Sequence, residues 1–439
     1  MPTVVSLFSG CGGFDIGFKE LGFDLLYAAD NDPAAIDCYA RNIDERVYLR
    51  DVRSSSFHQD MNAIGRCDVV LGGFPCQGFS KAGPKKEADT RNTLYTEMLR
   101  AVSVLQPRVF IAENVDGLSQ NFSGSYITRI HNDFADLGYA VEHRVLDAVS
   151  YGVPQYRRRI FFVGVRNDEK EKFSWPVPTH ASKTRNGESK IIPILPLFDG
   201  EVPSFRQPLT IGDAIGQLVS IDANVPDHAV TYDWPKKYGH IFRAIAPGQK
   251  LCNVRHADTS VYTWRVPQAF GAVTERERIV LETIAHNRRH KRYGNGPNGN
   301  PLALEVIEEL SEGSGLQREV ESLLTKNYLR CKDSKYDLKG AMFCSGLFKR
   351  PRWSEPAPTI LTNFHNPRYF LHPSEDRPFS LRECARLQGF PDSFMVQSER
   401  VDLVSGYRLI GNAVPPPLSR HFAGAVAKMF SSGKTYEAI

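Results

Sequence analysis

Over the first 165 residues, short β-rich runs alternate with helical stretches, and this rhythm restricts the fold more than any other feature. Strand-like runs fall at Val4–Phe8, Leu25–Ala29, Arg46–Leu49, Asp68–Gly72, Val109–Glu113, Val141–Asp147 and Ile160–Val165. Helical patterns at Asp15–Leu21, Pro33–Arg41, Thr93–Leu105 and Ile127–Leu137 fill most of the gaps. Such alternation predicts an α/β domain with a mostly parallel sheet and helices on both faces, because a parallel crossover needs a connection long enough to hold a helix. Ligands in these folds bind outside the carboxyl ends of the strands. The residues just after each strand are therefore the candidates for function.

Beyond Val165 the rhythm stops. Trp175–Pro178 and Pro193–Pro203 read as proline-rich connectors, and Gly294–Pro301 as a flexible turn. Thr210 to Tyr369 is irregular, helix signals return near Ser380, and Leu418–Phe430 reads as a terminal amphipathic helix. The net charge is +4, yet Trp234–Asn300 holds twelve Lys or Arg against four Asp or Glu, so the remainder is slightly acidic. A basic middle of this kind suits a nucleic-acid surface, although a solvated loop has the same composition. No apolar run reaches membrane-spanning length, and Met1-Pro2 leads directly into a strand-like run without a secretory leader. Eight cysteines without paired spacing point to a reducing compartment, with no disulfide framework and no metal cluster.

Phe8-Ser9-Gly10-Cys11-Gly12-Gly13-Phe14 follows the first strand and opens a helix. Its glycines permit close approach to a ligand, but the spacing is not the G-x-G-x-x-G of dinucleotide binders, which disfavours a nicotinamide oxidoreductase. Asp30 closes the second strand, where a carboxylate can accept both ribose hydroxyls, and Asp51 closes the third, within reach of an adenine amino group. Either carboxylate alone reads as a helix cap. Three such features on successive strand ends favour an adenosine-containing cofactor.

Gly72-Gly73-Phe74-Pro75-Cys76-Gln77-Gly78-Phe79-Ser80 follows the fourth strand, and its Gly/Pro-rich loop can present the Cys76 thiol to a ligand. A free thiol has a pKa near ~8.5, so nucleophilic work needs donors or cations nearby. Glu113-Asn114-Val115 closes the fifth strand, and Gln155-Tyr156-Arg157-Arg158-Arg159 precedes the seventh. Alternation along an extended chain points Arg157 and Arg159 to one side and leaves Arg158 as a solvated strand start. A thiol, a carboxyl group and two guanidiniums suit an electron-poor ring such as cytosine. Thiolate addition at carbon 6 makes carbon 5 nucleophilic, a carboxyl group at N3 stabilises the adduct, and a guanidinium holds O2.

The ordered set FSGCGGFDIGF (8–18), Asp30, Asp51, GGFPCQGFS (72–80), DTRNTLY (89–95), ENV (113–115), QYRRRIFFVGV (155–165), RECARLQGFPDSF (382–394) and IGNAVPPPL (410–418) resembles the DNA (cytosine-5) methyltransferase family in its compact prokaryotic, restriction-modification form. The resemblance implies a Rossmann-like S-adenosylmethionine-dependent methyltransferase domain over 1–176, completed by 396–439. It implies a smaller, irregular α+β target-recognition domain over 177–395 that includes 382–394. Cys76 would be the nucleophile, Glu113 the N3 contact, and Arg157 and Arg159 the positioning arginines. Phe8, Gly10, Cys11, Gly12, Gly13, Asp30, Asn31, Asp51, Val52, Pro75, Leu94, Asn412 and Ala413 would line the cofactor, which leaves as S-adenosylhomocysteine without any metal. Gln77 and Ser80 would lie near a flipped-out nucleotide and its phosphates. Three prolines stand in the last motif where the family often carries apolar residues, but Gly411 and Asn412 are intact.

Within the basic middle, Arg288, Arg289, Lys291 and Arg292 offer donors to guanine edges and phosphates, with Arg350 and Arg352 as further candidates. The expected partner is double-stranded DNA, and a restriction endonuclease would act on the same site without a stable complex. The protein is expected to work as a monomer in a bacterial cytoplasm. Two other readings share the fold. A tRNA cytosine-5 methyltransferase would carry a PPCQ-type loop and a shorter middle. A catalytically silent DNA-binding regulator would have lost Cys76, Glu113 or the arginines, all of which are present.

Overall fold

A computed structural model of the protein describes residues 1–74, 94–119, 125–181, 205–218, 220–231, 234–253, 258–296, 299–339 and 345–431. Contacts divide the chain into two compact units. One comprises Met1–Ala229, Trp353–Asn363 and Ser380–Ile439, the other Val230–Arg352 and Phe364–Phe379. These bounds differ from the 176/177 and 395/396 divisions read from the sequence, because chain on both sides of the basic middle packs with the first unit.

In the first unit, strands β1 (Thr3–Leu7), β2 (Asp24–Asp30), β3 (Val47–Leu49), β4 (Val69–Gly72), β5 (Val109–Val115), β6 (Tyr139–Asp147) and β7 (Arg158–Arg166) form one sheet in the order β3-β2-β1-β4-β5-β7-β6. The first five strands pair in parallel, and β7 runs antiparallel to both β5 and β6. This is the α/β fold that the strand–helix rhythm predicts. The strand order reverses at β1, and such a switch point opens a crevice at the carboxyl ends of the strands.

Helices α1 (Asp15–Glu20), α2 (Pro33–Asn42), α3 (Ser55–Ile64), α4 (Leu94–Leu105) and α5 (Ser125–Ala135) connect the strands. On one face Val5, Leu7, Val70, Phe110 and Phe162 share a buried cluster with Phe57 and Met61 of α3, Met98 and Val102 of α4 and Phe134 of α5. On the other face Phe161 meets Phe14 and Phe422 edge-on or tilted. The serine-rich start of α3 conceals that helix in the sequence; Ser54 Oγ caps it by accepting from Phe57 N at 3.2 Å.

Three further helices, α6 (Leu381–Gln388), α7 (Leu403–Asn412) and α8 (Pro416–Phe430), return to this unit. Gly17 N donates to Ser419 Oγ at 3.1 Å, and a Cβ on Gly17 would lie 2.4 Å from Arg420 N, so α1 and α8 touch almost backbone to backbone. In α6, Arg382 is buried against Asp227 at 3.0 Å, and Gln388 joins Gln155 to the Ile410 carbonyl.

The second unit is a small α+β body. Among its described residues are two three-stranded sheets and helices at Lys236–Ala244, Glu275–Asn287, Leu304–Ser311 and Gln317–Thr325. Val280, Leu281, Ile284, Ile307, Val320, Leu323, Leu329 and Leu338 form its larger core. Among the described residues of the chain, no helix is long and apolar enough to cross a membrane.

Candidate active site

At the end of β1 the backbone enters the left-handed region at Phe8 (φ 54°), Gly10 (φ 54°) and Gly12 (φ 85°). The glycines serve different ends. A Cβ on Gly10 would meet nothing within 4 Å, whereas one on Gly13 would lie 2.4 Å from Val414 O and one on Gly12 2.5 Å from Ile43 Cγ1. Gly12 and Gly13 thus permit packing, and Gly10 permits the turn.

This loop borders a cleft of about 780 Å³ at the carboxyl ends of β1, β2, β4 and β5. Of the residues singled out from the sequence, the structure brings Phe8, Gly10, Gly13, Asp30, Asn31, Asp51, Val52, Leu94, Asn412 and Ala413 to its wall, together with Glu113 and Arg159. Cys11 lies behind the wall, buried with its thiol 3.8 Å from Leu409 O, and Gly12 sits behind it also. Pro75, Cys76, Gln77 and Ser80 lie outside the described residues.

Asp30 receives Gly10 N on Oδ2 at 2.9 Å and Asp32 N on Oδ1 at 3.0 Å; burial pushes its pKa up while these amides oppose the shift. Asp51 is held below the usual carboxylate range by Arg53, whose guanidinium lies 2.6 Å away. The cleft arginines Arg50, Arg53, Arg159 and Arg408 pair with Asp60, Asp51, Glu113 and Asp32 at 2.8, 2.6, 2.9 and 2.7 Å. Asp30 and Asp15, which also border the cleft, have no ion-pair partner among the described residues. Asp15 is fully buried, receives Tyr39 Oη at 3.1 Å, and is pushed up to about 6 by desolvation. The buried Ser9 Oγ has no hydrogen-bond partner among the described residues. The unbalanced groups of the wall are therefore acidic, which suits a nucleoside ligand bearing a positive centre.

The antiparallel β5–β7 ladder pairs Glu113 with Phe161 and Val115 with Arg159, bringing the Arg159 Nε to 2.9 Å from Glu113 Oε1. Burial pushes the Glu113 carboxyl up, and Arg159 and then Arg157 pull it back. The end of β4 is fixed to the same place. A Cβ on Gly73 would stand 3.7 Å from Glu113 Oε2, and Asn114 Nδ2 donates to Phe74 O at 3.0 Å. Gly73 and Phe74 thus lie beside Glu113 and Asn114.

Arg157 does not share the cleft with Arg159. It precedes β7, so strand alternation does not govern its direction, and its buried guanidinium donates to Ile360 O at 3.1 Å and Gly411 O at 3.0 Å. A Cβ on Gly411 would lie 2.5 Å from Leu361 C and Thr362 N, so Arg157 fixes a tightly seated turn beside Asn412. Asp15, Asp32, Arg50, Arg53, Thr362 and Arg408 border the cleft without having been singled out. Asp15 stands inside the FSGCGGFDIGF motif, and Asp32-Pro33 is a helix-start signal, but nothing local to Arg408 or Thr362 marks them.

In the second unit the basic stretch divides. Arg288 is 1% exposed, and its Nε and Nη2 lie 2.7 and 2.9 Å from the Asp337 carboxylate oxygens. This corrects its assignment as a DNA contact: its charge is spent inside the unit. Arg350 is likewise buried, donating to the carbonyls of Phe242, Ile245 and His372. Arg289, Lys291 and Arg292 are exposed. No group of three or more metal-ligating side chains occurs among the described residues.

A family profile described as C-5 cytosine-specific DNA methylase matches residues 2–428. The Type II methyltransferase M.AgeI of Thalassovita gelatinovora is 30% identical over 442 residues, covering 96% of this chain and 98% of that protein. The Type II methyltransferase M.DdeI of Desulfomicrobium norvegicum is 27% identical over 447 residues, covering 98% and 89%. In fold, the chain is similar to a solved structure described as a prophage-encoded DNA modification methyltransferase of E. coli, with a TM-score of 0.54 at 23% identity over 98% of this chain and 100% of that one.

Proposed function

The chain belongs to the C-5 cytosine-specific DNA methylases, enzymes of the Type II restriction-modification kind, and from that premise we propose that it transfers a methyl group from S-adenosylmethionine to carbon 5 of cytosine within a specific double-stranded DNA sequence. The observation that carries this reading is the Glu113–Arg159 pair on the wall of the cleft that also holds Asp30. An acid–guanidinium couple suited to a pyrimidine edge and a carboxylate suited to a ribose thus share one space.

S-adenosylmethionine would supply an electrophilic methyl group on a sulfonium, and the acidic balance of the wall fits that positive centre. Asp30 would hold the ribose hydroxyls and Asp51 the adenine amino group. Phe8, Asn31, Val52, Pro75 and Leu94 would border the rings, and Gly10, Gly13, Asn412 and Ala413 the remainder.

On the substrate side, the Cys76 thiolate adds to carbon 6 of a cytosine flipped from the helix, and electron density moves to carbon 5. Glu113, whose carboxyl burial favours the protonated form, donates at N3. Arg159 holds O2, and Arg157 positions the Gly411–Asn412 turn. After methyl transfer a solvent base takes the carbon-5 proton, the Cys76 thiolate is expelled from carbon 6 and the N3 proton returns to Glu113, with S-adenosylhomocysteine as the other product. Gln77 and Ser80 would meet the flipped nucleotide and its phosphates, while the second unit would recognise the target sequence. A companion restriction endonuclease would share the site without forming a stable complex, and the enzyme would act as a monomer in a bacterial cytoplasm.

The test is methyl incorporation from labelled S-adenosylmethionine into duplex DNA and tRNA side by side, with Cys76→Ser as control. We expect incorporation into DNA that Cys76→Ser abolishes without abolishing DNA binding. Incorporation into tRNA alone, or methylation by the variant, would overturn the reading. Bisulfite sequencing of the product then reads the target sequence.

A further inference from the structure

We infer that Arg289, Lys291 and Arg292 form one rigid turn that grips the phosphate backbone of the substrate duplex and does not read its bases. This rests on the DNA reading proposed above and assigns the turn a place within it.

The turn is held far more firmly than a solvated loop requires. Arg288, its first residue, is locked to Asp337, which also accepts from Arg330 Nη2 at 2.9 Å. Asn300 closes the other side: its backbone N donates to Arg288 O at 2.7 Å, its Nδ2 donates to Gly294 O at 2.9 Å, and its Oδ1 accepts from Gly296 N at 2.9 Å. Gly294 has φ 137°, and a Cβ there would lie 2.5 Å from Asn300 Oδ1, so the closure depends on glycine. Burying a charge pair carries a desolvation cost. Here the buried pair fixes the base of a turn whose exposed residues include Arg289, His290, Lys291 and Arg292.

The exposed cations are also unspent. Among the described residues Arg289, Lys291 and Arg292 have no acidic partner, whereas nearby Arg265, Arg276, Arg278 and Lys326 pair with Glu282, Glu319, Glu275 and Glu277. The Arg292 guanidinium leans on the Tyr293 ring, 4.6 Å from its centre, which restrains it without neutralising it.

Geometry separates phosphate from base contact. Lys291–Tyr293 is a 3₁₀ turn, and with about three residues per turn the successive Lys291 and Arg292 side chains diverge by roughly a third of a circle. Two such diverging donors cannot converge on one base edge, but with Arg289 beside them they can straddle a backbone that carries one charge per ~1.7 Å of helix axis.

The experiment titrates salt. Dissociation constants of the full chain and of Arg289→Ala/Lys291→Ala/Arg292→Ala are measured for a duplex with the methylated site, one without it, and an RNA duplex. Each lost phosphate contact lowers the slope of log affinity against log salt by about 0.9 on DNA. We expect the triple variant to lose roughly two to three such steps equally on both DNA duplexes, with the ratio between them unchanged. Asp337→Asn, which keeps the exposed charges but loosens their base, should lose part of the slope. An unchanged slope would identify a merely solvated loop and overturn the proposal. So would a collapse of the ratio at constant slope, which signals base reading, or a slope change confined to RNA. Failure of the wild type to bind any DNA would instead remove the DNA reading, and this inference with it.

Discussion

The Arg159 guanidinium lies 2.9 Å from the Glu113 carboxylate, across an antiparallel ladder that sets them two residues out of register. The arginine opposes the upward push of burial on that carboxyl. Removing it should therefore raise the Glu113 pKa further. If Glu113 works as the acid, the rate falls as pH rises through that pKa. Arg159→Met should then move the alkaline limb of kcat/KM to higher pH while lowering its plateau. Glu113→Gln should slow methyl transfer by about 10²–10⁴-fold. A pH–rate profile of each variant checks both expectations.

Asp15 gives a prediction about stability. Its folded pKa is raised to about 6 from an ordinary value of 3.8. Its contribution is thus fully present below about pH 4 and lost as pH rises through about 6, a difference of about 3 kcal/mol. Asp15→Asn keeps an acceptor for Tyr39 Oη and cannot ionise. Denaturant melts should show the variant gaining on the wild type between pH 4 and 6 and holding a constant advantage above it.

The first loop separates two costs of adding a methyl group. Gly10→Ala meets no atom within 4 Å and carries only the strain of φ 54°, on the order of 1 kcal/mol. Gly13→Ala drives a Cβ to 2.4 Å from Val414 O, where backbone must move, at about 1–3 kcal/mol. Because Ala413 and Val414 border the cleft, calorimetric titration with S-adenosylhomocysteine should show the greater loss of binding for Gly13→Ala.

Adjacent arginines should behave differently. Arg288→Ala leaves Asp337 buried without its bidentate partner, a loss of about 3–5 kcal/mol. Arg289→Ala removes an exposed side chain with little effect on folding. Limited proteolysis should cut the second unit readily in the first variant and at the wild-type rate in the second.

The strands were legible because a buried parallel strand is a short apolar run with turn residues at its ends, and each run reports on itself. The acidic strand ends Asp30 and Asp51 were legible for the same reason: their positions follow from the strands. What escaped depends on residues far apart in sequence. Arg288 looks like its neighbours until Asp337, 49 residues later, takes its charge. Arg157 sits in phase with Arg159, yet the Ile360 and Gly411 carbonyls claim it from 203 and 254 residues away. Arg408 borders the cleft, where it meets Asp32 from the other end of the sequence.

The contact of Gly17 with Ser419 joins positions 402 apart. The wall of the cleft is likewise begun by the loop after β1, with Phe8 and Gly10, and completed by α7 and the turn after it, with Arg408, Asn412 and Ala413, which are translated long afterwards. A nascent chain can form its central strands early, but it has no finished cleft until α7 has been made. Synthesis interrupted before α7 would then yield fragments unable to modify DNA, so the timing of assembly itself ties activity to the making of that helix.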